Sequence, residues 1–336
     1  MRRWFPFALL VLFPAIVFLQ TLSFEFVAMD DELLILDNVK VHGLSLANLR
    51  AIFTTYDPEL YIPLTLLTYQ IEWSLFGANP AVSHAMNLLL HIGSGICVFL
   101  ILRRFIDRKT ALLCALLFAI HPLQAETVAW ASARKDLLSG FLFFLSIHLY
   151  LRSRDDGMPM RWSVLTFFLG LLSKVSIFPL PLVLLLLDWM RGESLDRDRL
   201  KEKIPFFLLS VTFLVIAILG KHTQMSALWI PILLSPTAIF LALKHFFVPT
   251  DLSIFYPFTD PVSVAHPAVL FHGVVLLVVA VLIVWSLRYT RLLAGGFLLF
   301  LFMIAPSLVN MLKGGGDGAF DVYLSSDRYV YGAMLG

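Results

Sequence analysis

The chain has 336 residues, of which 59% are hydrophobic and only 14% charged, and its mean hydropathy is +0.86. A water-soluble domain carries about 25% charged and about 45–50% apolar residues, so this composition excludes a globule dissolved in water and points to an integral membrane protein. The net charge of +2 argues against a nucleic-acid partner, which calls for a basic surplus. The two cysteines, Cys97 and Cys114, sit inside apolar runs and do not make a disulfide scaffold.

Crossing a bilayer takes about 20 mostly apolar residues in a helix, which alone satisfies its own backbone groups in lipid. Period-two alternation is absent, so the expected fold class is all-α, a polytopic helical membrane protein rather than a barrel. In chain order the apolar runs predict about nine spans. They are Trp4–Leu22, Ala81–Leu102, Thr110–Val128, Leu137–Leu151, Trp162–Ser173, Ile177–Met190, Ile204–Gly220, Ala268–Leu287 and Leu292–Leu312. The first follows Arg2 and Arg3 but is not followed by a small-x-small cleavage site, which makes it an uncleaved signal anchor.

With the N-terminus in the cytoplasm, the cytoplasmic segments hold 16 of the 25 basic residues and 8 of the 23 acidic ones, in accord with the positive-inside rule. Two outer segments are then long. Ser23–Pro80 is expected to carry short helices near Leu46–Thr54 and Pro63–Leu75. Lys221–Pro267 contains the apolar stretch Ala227–Phe247, which is expected to lie at the interface because a tenth span would misplace the later cationic loops. The whole chain reads as one transmembrane domain, with any chemistry on the outer face.

Ionisable groups at membrane depth are costly, so each is a candidate for function. The first set is Asp30-Asp31-Glu32, just past the first span. One of these crowded carboxylates is suited to act as a base, although the triplet also reads as a solvated acidic turn. The second is His121-Pro122-Leu123-Gln124-Ala125-Glu126, followed by Trp130 and Arg134-Lys135-Asp136, at the outer lip of the third and fourth spans. Arg and Lys there suit a phosphate at headgroup level, or simple interfacial anchoring. Lys174, at an outer turn between two short apolar runs, and Arg328, in Ser326-Asp327-Arg328-Tyr329, are further cations on that face. His84, Asn87 and His91 share one helix face and read as a helix–helix hydrogen-bonding stripe; a metal site there is a weak signal without HxxxH or HExxH spacing.

The run Tyr61-x-Pro63-Leu64-Thr65, His84-x-x-Asn87, His121-Pro122-x-x-x-Glu126-x-Val128-Ala129-Trp130-x-Ser132-x-Arg134-Lys135-Asp136-Leu137, Gly170-Leu171-Leu172-Ser173-Lys174, Lys203-Ile204-Pro205 and Asp327-Arg328-Tyr329, with Asp30-Asp31 before it, resembles the membrane region of TMTC-type O-mannosyltransferases, which are GT-C glycosyltransferases. Proteins of that type usually continue into tetratricopeptide repeats, so the resemblance implies a truncation before them. It also implies transfer of a sugar, mannose by the nearest likeness, from a polyprenyl- or dolichyl-phosphate donor to a hydroxyl, such as that of a protein Ser or Thr. The compartment would be a bacterial inner membrane or the endoplasmic reticulum, with the site on the outer or lumenal face and membrane lipids as surroundings.

On that likeness Asp31, with Asp30 as alternative, is the expected base. Arg134, Lys135, Lys174 and Arg328 are the expected phosphate ligands, and His121, Glu126 and Asp136 orient the base, the acceptor or the cations. No cofactor is required, though an Asp-Asp pair could hold a divalent metal. A lipid-linked sugar flippase and a non-catalytic membrane scaffold are the competing readings. A flippase would need charge running from face to face, whereas these charges gather at one.

Overall fold

The computed structural model describes residues 3–194, 196–221, 229–313 and 322–336. The described residues are chiefly helical, as expected, and fall into two compact units: Met1–Leu184 with Asp196–Lys221, and Leu185–Leu195 with His222–Gly336.

In the first unit, α1 (Phe5–Phe18) runs through a 3-10 turn to Ser23. The first loop then folds back on itself. It holds a turn of π-helix at Glu32–Leu36, α2 (Leu46–Thr54) and α3 (Pro63–Phe76). Ser45 starts α2 by accepting a hydrogen bond from the Asn48 amide, and Pro63 occupies the first turn of α3, where a missing N–H costs nothing. Leu34, Ile35, Val41, Ile52, Ile62, Leu66 and Tyr69 pack into a core of their own that also takes in Ala131. Lys40 pairs with Asp57 at 2.6 Å, and Asn38 donates to the same carboxylate at 3.1 Å. The loop is therefore a small folded layer built on the 131–133 turn.

The remaining helices of this unit are α4 (Pro80–Leu102), α5 (Arg108–Ile120), α6 (Ala125–Ala129), α7 (Arg134–Asp155), α8 (Arg161–Ser173), α9 (Leu180–Met190), whose last turns fall in the second unit, and α10 (Arg197–Leu219). α5 stops at Ile120 because Pro122 disfavours helical dihedrals at His121, whose ψ is 137°. The chain resumes as α6 after a bend of 48°.

The second unit holds α11 (Trp229–Phe247), α12 (Pro267–Ser286) and α13 (Leu292–Leu308). It also holds a two-stranded antiparallel ribbon of β1 (Tyr256–Phe258) and β2 (Val322–Ser325). Leu234, Ala238, Phe258, Val269, Met311, Val322 and Leu324 form its core.

Among the described residues six helices are long and apolar enough to cross a membrane, or seven if the bent pair α5–α6 is one span, which does not confirm the expected count of about nine. At 1.5 Å per residue, α8 with 13 residues falls well short of a hydrocarbon core of about 30 Å. α7 is charged at both ends, which leaves only a short apolar middle. The helix Trp229–Phe247, expected at the interface, is one of the six. The part of that stretch before Trp229 lies outside the described residues.

Candidate functional site

α7 begins with two cations. A helix N-terminus carries partial positive charge, so Arg134 and Lys135 are electrostatically misplaced there unless carboxylates compensate, whereas Asp136 is well placed. Successive helical residues also point about 100° apart. Both facts appear in the structure, where each of the three charges meets a partner from a different element.

Arg134 is wholly buried. Its guanidinium makes a two-pronged ion pair with Glu72 of α3 and donates to Asn87 Oδ1 at 2.8 Å, the Ser83 carbonyl at 2.8 Å and the Thr68 hydroxyl at 3.3 Å. It also stacks 4.8 Å from the centre of the Tyr69 ring. These bonds occupy all five N–H groups of an arginine. Glu72 accepts a further bond from the Ser83 hydroxyl at 2.9 Å.

Lys135 donates to Asp30 Oδ2 at 2.8 Å and to the Ser132 carbonyl at 3.2 Å. Its side chain is 5% exposed and that of Asp30 is 40% exposed, so one face of this pair is open. Asp136 forms an ion pair with Lys174, which sits at the break between α8 and the next turn. The second Asp136 oxygen, Oδ2, is buried without a protein partner.

Asp31 is wholly buried, unlike its neighbour. One oxygen accepts from the Val27 amide at 3.0 Å and the other from the Ser132 amide at 2.8 Å. Met29, just before the pair, has φ of 127°, a conformation that side-chain-bearing residues rarely adopt. The backbone is thus held so that Asp31 turns inward while Asp30 faces Lys135.

The segment 130–133 is the seat for this arrangement. Asn87 donates to the Trp130 carbonyl at 2.9 Å, and the Tyr69 hydroxyl donates to the Ala131 carbonyl at 2.9 Å. Burial raises the Tyr69 phenol far above its usual pKa, which keeps it a donor. Thr65 ties α3 to the end of α8 through the Ser173 carbonyl at 3.1 Å.

Asp30, Asp31, Arg134, Lys135, Asp136 and Lys174 are therefore brought to one end of α7. His121 has a local duty: its Nδ1 accepts from the Leu123 amide at 3.2 Å and caps the turn after α5. Glu126 is half-buried on the short α6. Arg328 belongs to the second unit, where its guanidinium lies 5.1 Å from the Tyr329 ring centre and reaches the Tyr323 hydroxyl at 3.4 Å. Asn87 and His91 make the hydrogen bonds between helices expected of their stripe, the former accepting from Arg134 of α7 at 2.8 Å and the latter reaching the Ala119 carbonyl of α5 at 2.8 Å. Among the described residues no group of three or more His, Cys, Asp or Glu is placed to hold a metal ion.

Sequence reasoning missed Glu72, Ser83 and Thr68. The signal for Glu72 was present as the lone carboxylate in the otherwise uncharged helix Pro63–Phe76, where a charge needs a partner.

Residues 61–220 match the family model for dolichyl-phosphate-mannose-protein mannosyltransferase. This stretch includes every member of the cluster except Asp30 and Asp31. Among curated proteins the chain is 32% identical over 111 residues to protein O-mannosyl-transferase TMTC3 of Mus musculus, covering 32% of this chain and 12% of that protein. It is 38% identical over 99 residues to TMTC1 of Homo sapiens, covering 29% and 11%. It is 32% identical over 203 residues to Tmtc2 of Drosophila melanogaster, covering 56% and 22%. The matched stretches thus span less than a quarter of these relatives' length. No solved structure matches. The comparisons support a glycosyltransferase in a multi-pass membrane protein: residues 61–220 carry the mannosyltransferase match, and the chain is similar to TMTC-type protein O-mannosyltransferases over part of their length.

Proposed function

We propose that this chain is the membrane part of a GT-C-type glycosyltransferase that moves mannose from a polyprenyl- or dolichyl-phosphate donor to a protein Ser or Thr hydroxyl on the outer or lumenal face. The observation that carries this reading is the half-open Asp30–Lys135 ion pair, seated at one end of α7 on a buried polar lattice. The family match at residues 61–220 supplies the reaction class.

Of the two first-loop carboxylates, Asp30 is the better base. Asp31 is wholly buried and held by two backbone N–H bonds, so an acceptor hydroxyl has no access to it. In the reaction the Asp30 carboxylate takes the proton from the acceptor hydroxyl as its oxygen attacks the anomeric carbon. The bond from that carbon to the phosphate oxygen breaks on the opposite side, and the sugar inverts. Such base assistance contributes about 10²–10⁴-fold.

The departing lipid phosphate needs cations, and preorganised charge in a poorly hydrated site supplies them effectively. Lys135 and Lys174 fill this role, each exchanging part of its bond to a carboxylate for a bond to phosphate. Arg134 acts indirectly. With its five donors occupied by protein it is a positioning residue that fixes the first turn of α7, and with it the two lysine-bearing ion pairs.

Transfer from polyprenyl-phosphate mannose to a Ser/Thr peptide, with the chain reconstituted in liposomes, tests the reading. Asp30→Asn should lose transfer while retaining donor binding. Full transfer by Asp30→Asn overturns the assignment, and donor translocation without any transfer by the unaltered protein supports a flippase instead.

A further inference from the structure

The stretch that carries Asp30 shows more apolar surface than an aqueous loop has use for. Directly after the first span, Val27, Met29 and Leu33 are 51%, 59% and 52% exposed, and Phe24 is exposed as well. The backbone between them is fixed, because Asp31 binds the Val27 and Ser132 amides. Leu34 and Ile35, next in sequence, fill the first-loop core. These side chains therefore stay outward while their neighbours are packed, and in water they would stay wet, which is unfavourable in proportion to their area.

Their position indicates what covers them. The first candidate span is Phe5–Ser23, and its Ile16, Val17 and Leu19 are exposed, as side chains on the lipid side of a span are. Phe24, Val27, Met29 and Leu33 carry that apolar surface past the end of the helix. Charge narrows the choice of lipid. No Lys or Arg occurs from Trp4 to Val39, whereas Glu25, Glu32 and Asp37 are exposed carboxylates there, beside the buried Asp31 and the Asp30 paired with Lys135. Such a surface would be repelled by anionic headgroups and tolerated by zwitterionic ones.

We propose that residues 24–33 dock on the bilayer beside the first span, with Val27, Met29 and Leu33 dipping into zwitterionic lipid. The Asp30–Lys135 pair then opens at headgroup level rather than into bulk water, where its electrostatic interactions are less screened. This proposal does not depend on the transferase reading, and its test involves no activity.

The experiment uses the full chain in phosphatidylcholine nanodiscs, with Cys97→Ala and Cys114→Ala as background. Single spin labels are placed through Val27→Cys, Met29→Cys and Leu33→Cys. Ile16→Cys serves as the lipid reference and Lys201→Cys, on an exposed side chain, as the aqueous reference. The ratio of collisions with lipid-dissolved oxygen to collisions with a water-soluble nickel complex should be severalfold higher at 27, 29 and 33 than at 201. A ratio equal to that at 201 overturns the proposal. So does a label shielded from both reagents, since protein rather than lipid would then cover the segment. Should the cysteine variants fail to fold, the unaltered chain is irradiated in phosphatidylcholine bearing a diazirine near the headgroup. Adducts on the peptide containing residues 24–33 are expected, and adducts confined to the spans overturn the proposal.

Discussion

Asp30 and Asp31 are adjacent in sequence but sit in opposite environments: Asp30 reaches Lys135 with 40% of its side chain exposed, while Asp31 is enclosed and bound by two backbone amides. Their substitutions should separate accordingly. Asp30→Asn leaves the buried Lys135 an amide oxygen in place of a carboxylate, so a modest fall in thermal stability in detergent is expected, with a loss of transfer far larger than the unfolded fraction explains. Asp31→Asn replaces one of two acceptor oxygens with a donor facing an N–H, and leaving a buried donor unsatisfied costs about 1–3 kcal/mol. It should lower the unfolding temperature, with lost activity that tracks the unfolded fraction. The opposite pattern, a stable and inactive Asp31→Asn beside an active Asp30→Asn, would return the base to Asp31.

The Arg134–Glu72 pair makes a second separation possible. Breaking a buried pair by removing one partner costs about 3–5 kcal/mol, because the other charge is left uncompensated, whereas replacing both with apolar residues is often neutral. Arg134→Met and Glu72→Leu alone should each destabilise strongly, and the double variant should recover much of the loss. Arg134→Lys should fail to rescue, since an ammonium cannot supply the five-donor planar fork used here. Donor affinity measured on the folded double variant checks the positioning role. Loss of donor affinity with recovered stability would show Arg134 to be a phosphate ligand after all.

Tyr69→Phe is a milder probe of the same seat. It removes the 2.9 Å bond to the Ala131 carbonyl while keeping the ring under Arg134. A lost neutral hydrogen bond costs about 0.5–1.5 kcal/mol. A modest fall in unfolding temperature, with transfer retained, is the expected result. A full loss of transfer by a stable protein would place the Tyr69 hydroxyl at the reacting centre.

The sequence already showed that charge gathers near Asp30 and 134–136, because an ionisable group beside an apolar run stands out against its background. It did not show which charge pairs with which. Arg134 looked like an available phosphate ligand because Glu72, 62 residues earlier, is brought to it only by folding of the first loop. The likeness put Asp31 ahead of Asp30, the reverse of the order proposed from the structure, since a one-residue difference in inward or outward direction depends on the backbone at Met29. The spans Pro80–Leu102 and Pro267–Ser286 were legible from long unbroken apolar runs. α7 and α8 were less legible, because a short apolar helix packed against protein and one facing lipid have similar composition.

The Asp136–Lys174 pair supports the sharpest test of the phosphate site, because removing each partner changes the local charge in opposite directions. Lys174→Ala takes away a cation and should weaken binding of polyprenyl phosphate severalfold. Asp136→Asn takes away an anion beside that cation, so an anionic ligand should bind as well as before or more tightly, even though the same ion pair is lost. Asp136 Oδ2 has no protein partner, so the amide can take that direction without breaking a bond to it. Equilibrium binding of the unglycosylated lipid phosphate to both variants, in one detergent and at one ionic strength, gives the comparison. Opposite shifts locate the phosphate at Lys174. Equal losses in both variants would mean that the pair only holds α7 to the end of α8, and the phosphate role of Lys174 would fall.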